Sequence, residues 1–188
     1  MSAYAAGKAG AFDRLYARHR VWLYNLLVRQ LQDRARADDV FQETWFALIR
    51  SAPSYRPTAR FSTWLYLLAR QRLVDHWRRL DPETVSLAFN DNGDPEDPAV
   101  MSALIDLQAD PARDAERRQL AAHLDQGLRE LPPSQREVFL LAEQVEMSLE
   151  EIATITGSNR EAVKSRLRYA RRKLAEQLVS YSPQWKKG

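Results

Sequence analysis

From Ser148 to Leu174 the chain reads SLEEIATITGSNREAVKSRLRYARRKL. Its second half, Arg160 to Lys173, holds seven Arg or Lys against the single acid Glu161, in a protein whose formal net charge is only +3. Leu149, Ile152, Ala153 and Thr156 recur at helical spacing before Gly157. Val163, Leu167, Ala170, Leu174 and Leu178 do so after it. The pattern predicts two helices around a turn, with Gly157 in the left-handed position that closes the first. On the second helix Arg160, Lys164, Arg168, Arg171 and Arg172 fall opposite the apolar stripe. Such a helix can pack on its partner and lay its basic side in a major groove, where arginine and lysine meet base edges and phosphates. The alternative is a solvated basic face or a membrane-surface helix. An aliphatic stripe without an aromatic anchor, and a neighbouring helix to bury it, favour nucleic acid.

Upstream, the punctuation is helical as well. Ser134 with Glu137, Ser148 with Glu151 and Ser158 with Glu161 are three S-x-x-E patterns, each read as a capping box ahead of an apolar run. Pro132 and Pro133 stop the helix before them. Residues 81–111 differ in kind: four prolines and a strong excess of acids predict a flexible linker that buries too little to order itself. Charge divides the same way. Residues 1–80 carry a balance of +8, residues 81–114 of −8 and residues 116–188 of +3. Two basic units joined by an acidic connector point to a polyanion partner.

The N-terminal unit, residues 1–80, shows three more helical patterns and no alternating strand pattern. Phe12, Leu15, Tyr16, Leu23, Leu26 and Leu27 mark the first. Asp38 opens the second, with Val40, Phe41, Thr44, Trp45 and Leu48 on one face. Phe61, Trp64, Leu65, Leu68 and Leu73 mark the third, over Phe61 to Arg79. Aromatics interleave with arginines from Tyr55 to Arg79, a combination that suits base stacking and backbone tracking on single-stranded or melted DNA. Part of that aromatic set also falls on the core stripe. The acids and amide Asp38, Asp39, Gln42 and Glu43 are either dipole-stabilising residues of an early helical turn or a docking face for a protein.

The totals exclude several functions. With no cysteine, disulfides, thiol catalysis and Cys-ligated zinc are ruled out. His19, His76 and His123 are scattered, so metal or acid–base chemistry has no constellation, and no phosphate-binding loop or dinucleotide fingerprint occurs. No run approaches the roughly 20 apolar residues of a membrane span, and the first residues lack a signal-peptide pattern. The expectation is a cytoplasmic, non-enzymatic, all-α protein without cofactor or metal. It has two small helical domains (1–80 and 112–188, the latter holding a helix-turn-helix) and a linker at 81–111.

Taken in order, AFDRLYARHR, ADDVFQETWFALI, FSTWLYLLARQRLVDHWRR, LPPSQREVFLL, SLEEIATITG and VKSRLRYARRKL resemble the extracytoplasmic-function sigma factors of the sigma-70 family. That resemblance implies core RNA polymerase and promoter DNA as partners, with an anti-sigma factor as a regulator. By position it implies core polymerase binding by Asp38, Asp39, Gln42 and Glu43. It implies −10 DNA binding by Tyr55, Arg56, Arg60, Arg70, Arg78 and Arg79, and −35 DNA binding by Arg160, Lys164, Ser165, Arg168, Arg171 and Arg172. The linker would thread toward the RNA exit path. Arg36, Gln71, Ala162 and Tyr169 depart from common family residues, which bears on promoter choice. A stand-alone DNA-binding regulator is the rival reading; it accounts for the last third but leaves the DDVFQETW helix without a purpose.

Overall fold

The computed structural model of the chain describes the backbone of residues 1–80 and 114–181, with side chains described for 1–78 and 119–178. These residues are helical, with no strand among them. A short α1 (Ser2–Ala5) leads into α2 (Ala11–Leu31) and α3 (Arg34–Ser51). After a 3-10 turn at Ala52–Ser54 comes α4 (Phe61–Leu80). The C-terminal unit consists of α5 (Asp114–Glu130), α6 (Pro133–Gln144), α7 (Leu149–Thr156) and α8 (Arg160–Tyr181). The linker expected at 81–111 lies outside the described residues.

The helical stripes do what their spacing implies. Leu23, Leu26 and Leu27 of α2, Val40, Trp45 and Leu48 of α3, and Leu65, Ala69 and Leu73 of α4 are buried together. An aromatic nest closes the other end of this unit: Tyr16 meets Trp45 edge-on at 4.8 Å, and Phe12 and Phe41 pack around them. Edge-to-face contacts of this kind add about 0.5–1.5 kcal/mol beyond area burial. In the C-terminal unit Ile152 and Ile155 of α7 face Val163, Leu167, Ala170 and Leu174 of α8, as a helix-turn-helix requires. Gly127 lets α5 close on α8, since a Cβ there would stand 2.7 Å from Leu174 Cδ2.

Three details differ from the sequence reading. First, α3 begins at Arg34, a turn earlier than expected, because Asp33 accepts the Arg36 N–H at 3.2 Å and caps it. Asp38 and Asp39 therefore sit beyond the first turn, where a helix dipole has little hold on them. Second, only Ser148–Glu151 is a capping box: Ser148 Oγ accepts the Glu151 N–H at 3.1 Å, and Glu151 accepts the Ser148 N–H at 2.9 Å. Asn159, not Ser158, caps α8, accepting the Ala162 N–H at 2.7 Å. Pro132 precedes α6 without a side-chain cap. Third, the two units are packed together. One apolar cluster includes residues of both, and α6 is buried at every position from Ser134 to Leu141. Gly157 behaves as predicted, closing α7 at φ 68°.

Candidate nucleic-acid interface

The basic side of α8 faces away from its packing partners. Lys164 and Arg160 are exposed; Arg160 Nε lies 2.6 Å from Glu150 Oε1 and its other end reaches Glu161. That pairing holds the guanidinium above its ordinary pKa. The Glu150 carboxyl is held below its own, first by a backbone N–H and then by Arg160. Arg171 bonds Glu143 and Arg172 lies over the Tyr169 ring at 5.1 Å. Ser165 and Arg168 are half-buried on the same helix. Arg166, absent from the expected reading face, turns inward and donates to Ser158 Oγ at 2.7 Å. Six residues expected to read duplex thus share one helix, and local carboxylates hold three of them, Arg160, Arg171 and Arg172.

The second expected DNA face, the Ser54–Arg60 loop and α4, is presented differently. Tyr55 packs edge-on against Trp64 at 4.8 Å, while Arg56 is exposed. Arg60 reaches across to the C-terminal unit and donates to the Glu146 carbonyl at 3.0 Å. One turn on, Thr63 donates to Glu151 Oε1 at 3.0 Å. Next, Tyr66 donates to Glu137 Oε1 at 2.7 Å, and Arg70 Nε donates to the same oxygen at 2.8 Å. Tyr66 is 0% exposed, the Arg70 side chain 16% and the Glu137 side chain 2%. Burial, then the neighbouring carboxylate, pushes the Tyr66 phenol well above its usual pKa. Arg78 is exposed and 3.9 Å from Asp75; the Arg79 side chain is outside the described residues.

A second polar seam lies at the other end of the interface. The last carbonyls of a helix have no partner within it. Arg136 fills that need twice, donating to the Arg29 and Gln30 carbonyls at the end of α2 and to the Leu131 carbonyl just past α5. Burial pulls its pKa down to about 10. Gln32 answers with a bond to the Arg129 carbonyl of α5, and Arg29 Nε lies 3.0 Å from Asp125 Oδ1.

The outer face of α3 is uncovered. Asp38, Asp39, Gln42 and Glu43 are all exposed, with Asp38 accepting the Tyr24 hydroxyl; that bond raises the phenol's pKa. The strip continues into Phe46, 57% exposed, and Ile49. The sequence reading missed both, although Phe46 falls one turn after Gln42 and Glu43 on the same face. Asp39 and Glu43 also line a groove of about 750 Å³ shared with Arg70, Gln71 and Arg72, so the acidic strip adjoins α4. Among the described residues no cluster of three metal-ligating side chains occurs, and no helix is long and apolar enough to cross a membrane.

The match to known proteins follows this division. The family model for sigma-70 region 2 matches residues 15–83, and that for sigma-70 region 4 matches residues 122–174. The chain is 32% identical over 181 residues to the RNA polymerase sigma factor CarQ of Myxococcus xanthus, covering 95% of each chain. It is 30% identical to the RNA polymerase sigma-H factor of Pseudomonas aeruginosa, covering 88% of this chain and 84% of that one. Among solved structures, CnrH in complex with the cytosolic domain of CnrY aligns with a TM-score of 0.61 at 26% identity, covering 96% of both chains. RpoE of Bartonella quintana, in complex with the anti-sigma factor NepR, shares the fold at a TM-score of 0.64 and 20% identity, covering 90% of this chain and 98% of that one.

Proposed function

The chain belongs to the sigma-70 family of RNA polymerase initiation factors, in its extracytoplasmic-function branch, and from that premise we infer how its parts divide the work. As a sigma factor it binds core RNA polymerase and directs promoter recognition and opening. The division runs by unit: residues 1–80 dock on polymerase and handle the −10 element, and residues 112–188 read the −35 element. Asp38, Asp39, Gln42 and Glu43 make the polymerase contact. Phe46 and Ile49 add apolar area to it. Tyr55, Arg56, Arg60, Arg70, Arg78 and Arg79 serve melted −10 DNA. Arg160, Lys164, Ser165, Arg168, Arg171 and Arg172 serve the upstream duplex. The chain supplies specificity and no catalysis of its own, and it works in the cytoplasm. An anti-sigma protein restrains it, as the complexes of CnrH with CnrY and RpoE with NepR suggest by analogy.

The observation that carries this reading is the strip on α3. Asp39, Gln42 and Glu43 stand exposed on a helix whose opposite side is core, outside the turn where a dipole would favour acids, and they run into an exposed Phe46. Carboxylates beside an exposed aromatic fit a docking surface for a basic partner. Size-exclusion chromatography with purified bacterial core polymerase tests it. Wild type co-elutes, and Asp39→Lys/Glu43→Lys does not, with helicity unchanged by circular dichroism. Equal co-elution of both would remove these residues from the contact.

A further inference from the structure

Two residues of α8, Ala162 and Tyr169, have no part in the assignments above, and they lie on the same side of the helix. Ala162, Ser165, Tyr169 and Arg172 follow one another at spacings of three and four, which makes them one row. The row is turned away from the buried stripe of Val163, Leu167, Ala170 and Leu174. Tyr169 is the only aromatic among the described side chains of α8. It is 41% exposed and takes no part in the hydrophobic core or in the layer packed against it. A long helical side chain leans toward the N-terminus, over the residues three and four before its own. For Tyr169 the residue four before is Ser165, with Ala162 a turn beyond, and neither is long enough to cover the ring. From the other direction Arg172 lies over the ring at 5.1 Å, with its Nε 3.9 Å from Glu176.

The row differs in chemistry from the flank of Arg160, Lys164 and Arg171 beside it. Cations suit phosphates and guanine edges. A tyrosine ring above two short side chains offers apolar surface instead, and the apolar group that a base pair shows in the major groove is the thymine C5-methyl. We propose that Tyr169 is a specificity-determining residue: its ring takes a thymine methyl of the upstream duplex, in the space that Ala162 and Ser165 leave beside it, while Arg172 meets an adjoining phosphate. The proposal rests on the reading of α8 as the duplex-reading helix and adds to it the base feature that one side chain selects. Two features fit. The ring leans toward the end of α8 that a helix-turn-helix sets against base edges, so its place well along the helix does not take it out of the groove. The Arg172–Glu176 pair is a surface pair, and such a pair yields readily to a phosphate.

The test uses the full-length chain bound to core polymerase. The holoenzyme first selects its preferred sequence from duplexes randomised over the upstream region. The selected duplex is then remade with each thymine in turn replaced by deoxyuridine, which removes one methyl group and leaves the hydrogen-bonding edges and phosphates intact. Fluorescence anisotropy compares the affinities. Wild type loses about fourfold at one thymine, the factor given by taking one methyl group out of water. Tyr169→Ala binds the thymine and deoxyuridine duplexes equally, and Tyr169→Phe, which keeps the ring, still tells them apart. Circular dichroism on each variant confirms that the helices persist. A selected sequence without thymine, or wild-type indifference to every replacement, overturns the proposal. So does discrimination that survives in Tyr169→Ala, or that vanishes in Tyr169→Phe and so belongs to the hydroxyl. Lys164→Ala tests the underlying reading by itself, because it weakens binding to the thymine and deoxyuridine duplexes alike. If Lys164→Ala weakens binding and no thymine is discriminated, the Tyr169 proposal alone falls. If neither Lys164→Ala nor Tyr169→Ala changes the affinity, α8 is not the reader and both fall.

Discussion

Lys164 on α8 stands in solvent, and carboxylates of the same unit hold Arg160, Arg171 and Arg172 on that face. On α4, Tyr66 is fully buried and Arg70 is tied to an acid that arrives from the opposite unit. Both helices carry residues suited to nucleic acid, yet one is shielded locally and the other at long range. A local ion pair at the surface is worth about 0–1 kcal/mol and yields to any stronger anion. A largely buried one is a structural element, and breaking it exposes charges that were desolvated together. The α8 cations are therefore accessible by side-chain rearrangement alone, while Tyr66 and Arg70 become accessible only when the units part.

Glu137→Ala is the strongest way to break that comparison. It leaves Arg70 and Tyr66 facing a void, so the closed form loses roughly 3–5 kcal/mol. Urea unfolding shows the loss as separation of the two units before the helices melt. A single transition with an unchanged midpoint would mean that the α4 and α8 faces are shielded to the same degree. Lys164→Ala acts on the other side: stability stays within about 0.5 kcal/mol of wild type. Holoenzyme affinity for upstream duplex falls by about 1–3 kcal/mol if Lys164 meets a base edge, measured by fluorescence anisotropy. A matching loss of stability would place Lys164 in the packing instead.

Ser148→Ala sharpens the contrast within the C-terminal unit. Losing the capping box costs about 1 kcal/mol of α7, read as a lower melting temperature, with the α4–α6 bonds untouched. A smaller effect belongs to His19, whose Nδ1 accepts the Trp22 indole N–H at 2.9 Å and whose ring lies 4.7 Å from Phe61, the first residue of α4. Burial, helped by Arg18 and the N-terminal ammonium, lowers its pKa below the ordinary 6.5. The folded state thus favours neutral imidazole. Stability from this group is complete above about pH 6.5 and is lost as the pH falls from there toward the folded value. His19→Gln removes that acid-dependent part, and urea midpoints at neutral and mildly acidic pH, compared between the two proteins, measure it.

Much of this was legible in the residues. The stripes at Leu23, Leu26 and Leu27 or at Val163, Leu167 and Ala170 name their buried faces by spacing alone, and Gly157 names its turn. The strip on α3 was legible as well, except that Phe46 and Ile49 pass for core residues until the helix is seen from outside. The joint between units was not. Glu137 three residues after Ser134 matches a capping box, and nothing local distinguishes it from Glu151 three after Ser148, which is one. Its partners Tyr66 and Arg70 lie 71 and 67 residues away. Pattern reading likewise sends the run Ser134, Gln135, Arg136 and Glu137 to solvent, whereas all four are buried because the neighbouring unit brings carbonyls and donors to them. Tyr66 was lost for the same reason: periodicity finds the face a helix turns to its own unit, not a second face covered from elsewhere.

The bonds that hold α6 to α2 and α4 all span the interval between the two units, with sequence separations from 67 to 107 residues. Closure is therefore a first-order event. Its equilibrium does not depend on how many copies of the protein a cell contains, only on the effective concentration set by the chain between the units. Dilution does not open the molecule, and overproduction does not close it further. Doubling the length of the intervening segment weakens such a contact by only about 0.6 kcal/mol, so its strength is written into side chains such as Glu137 and Arg136 far more than into tether length.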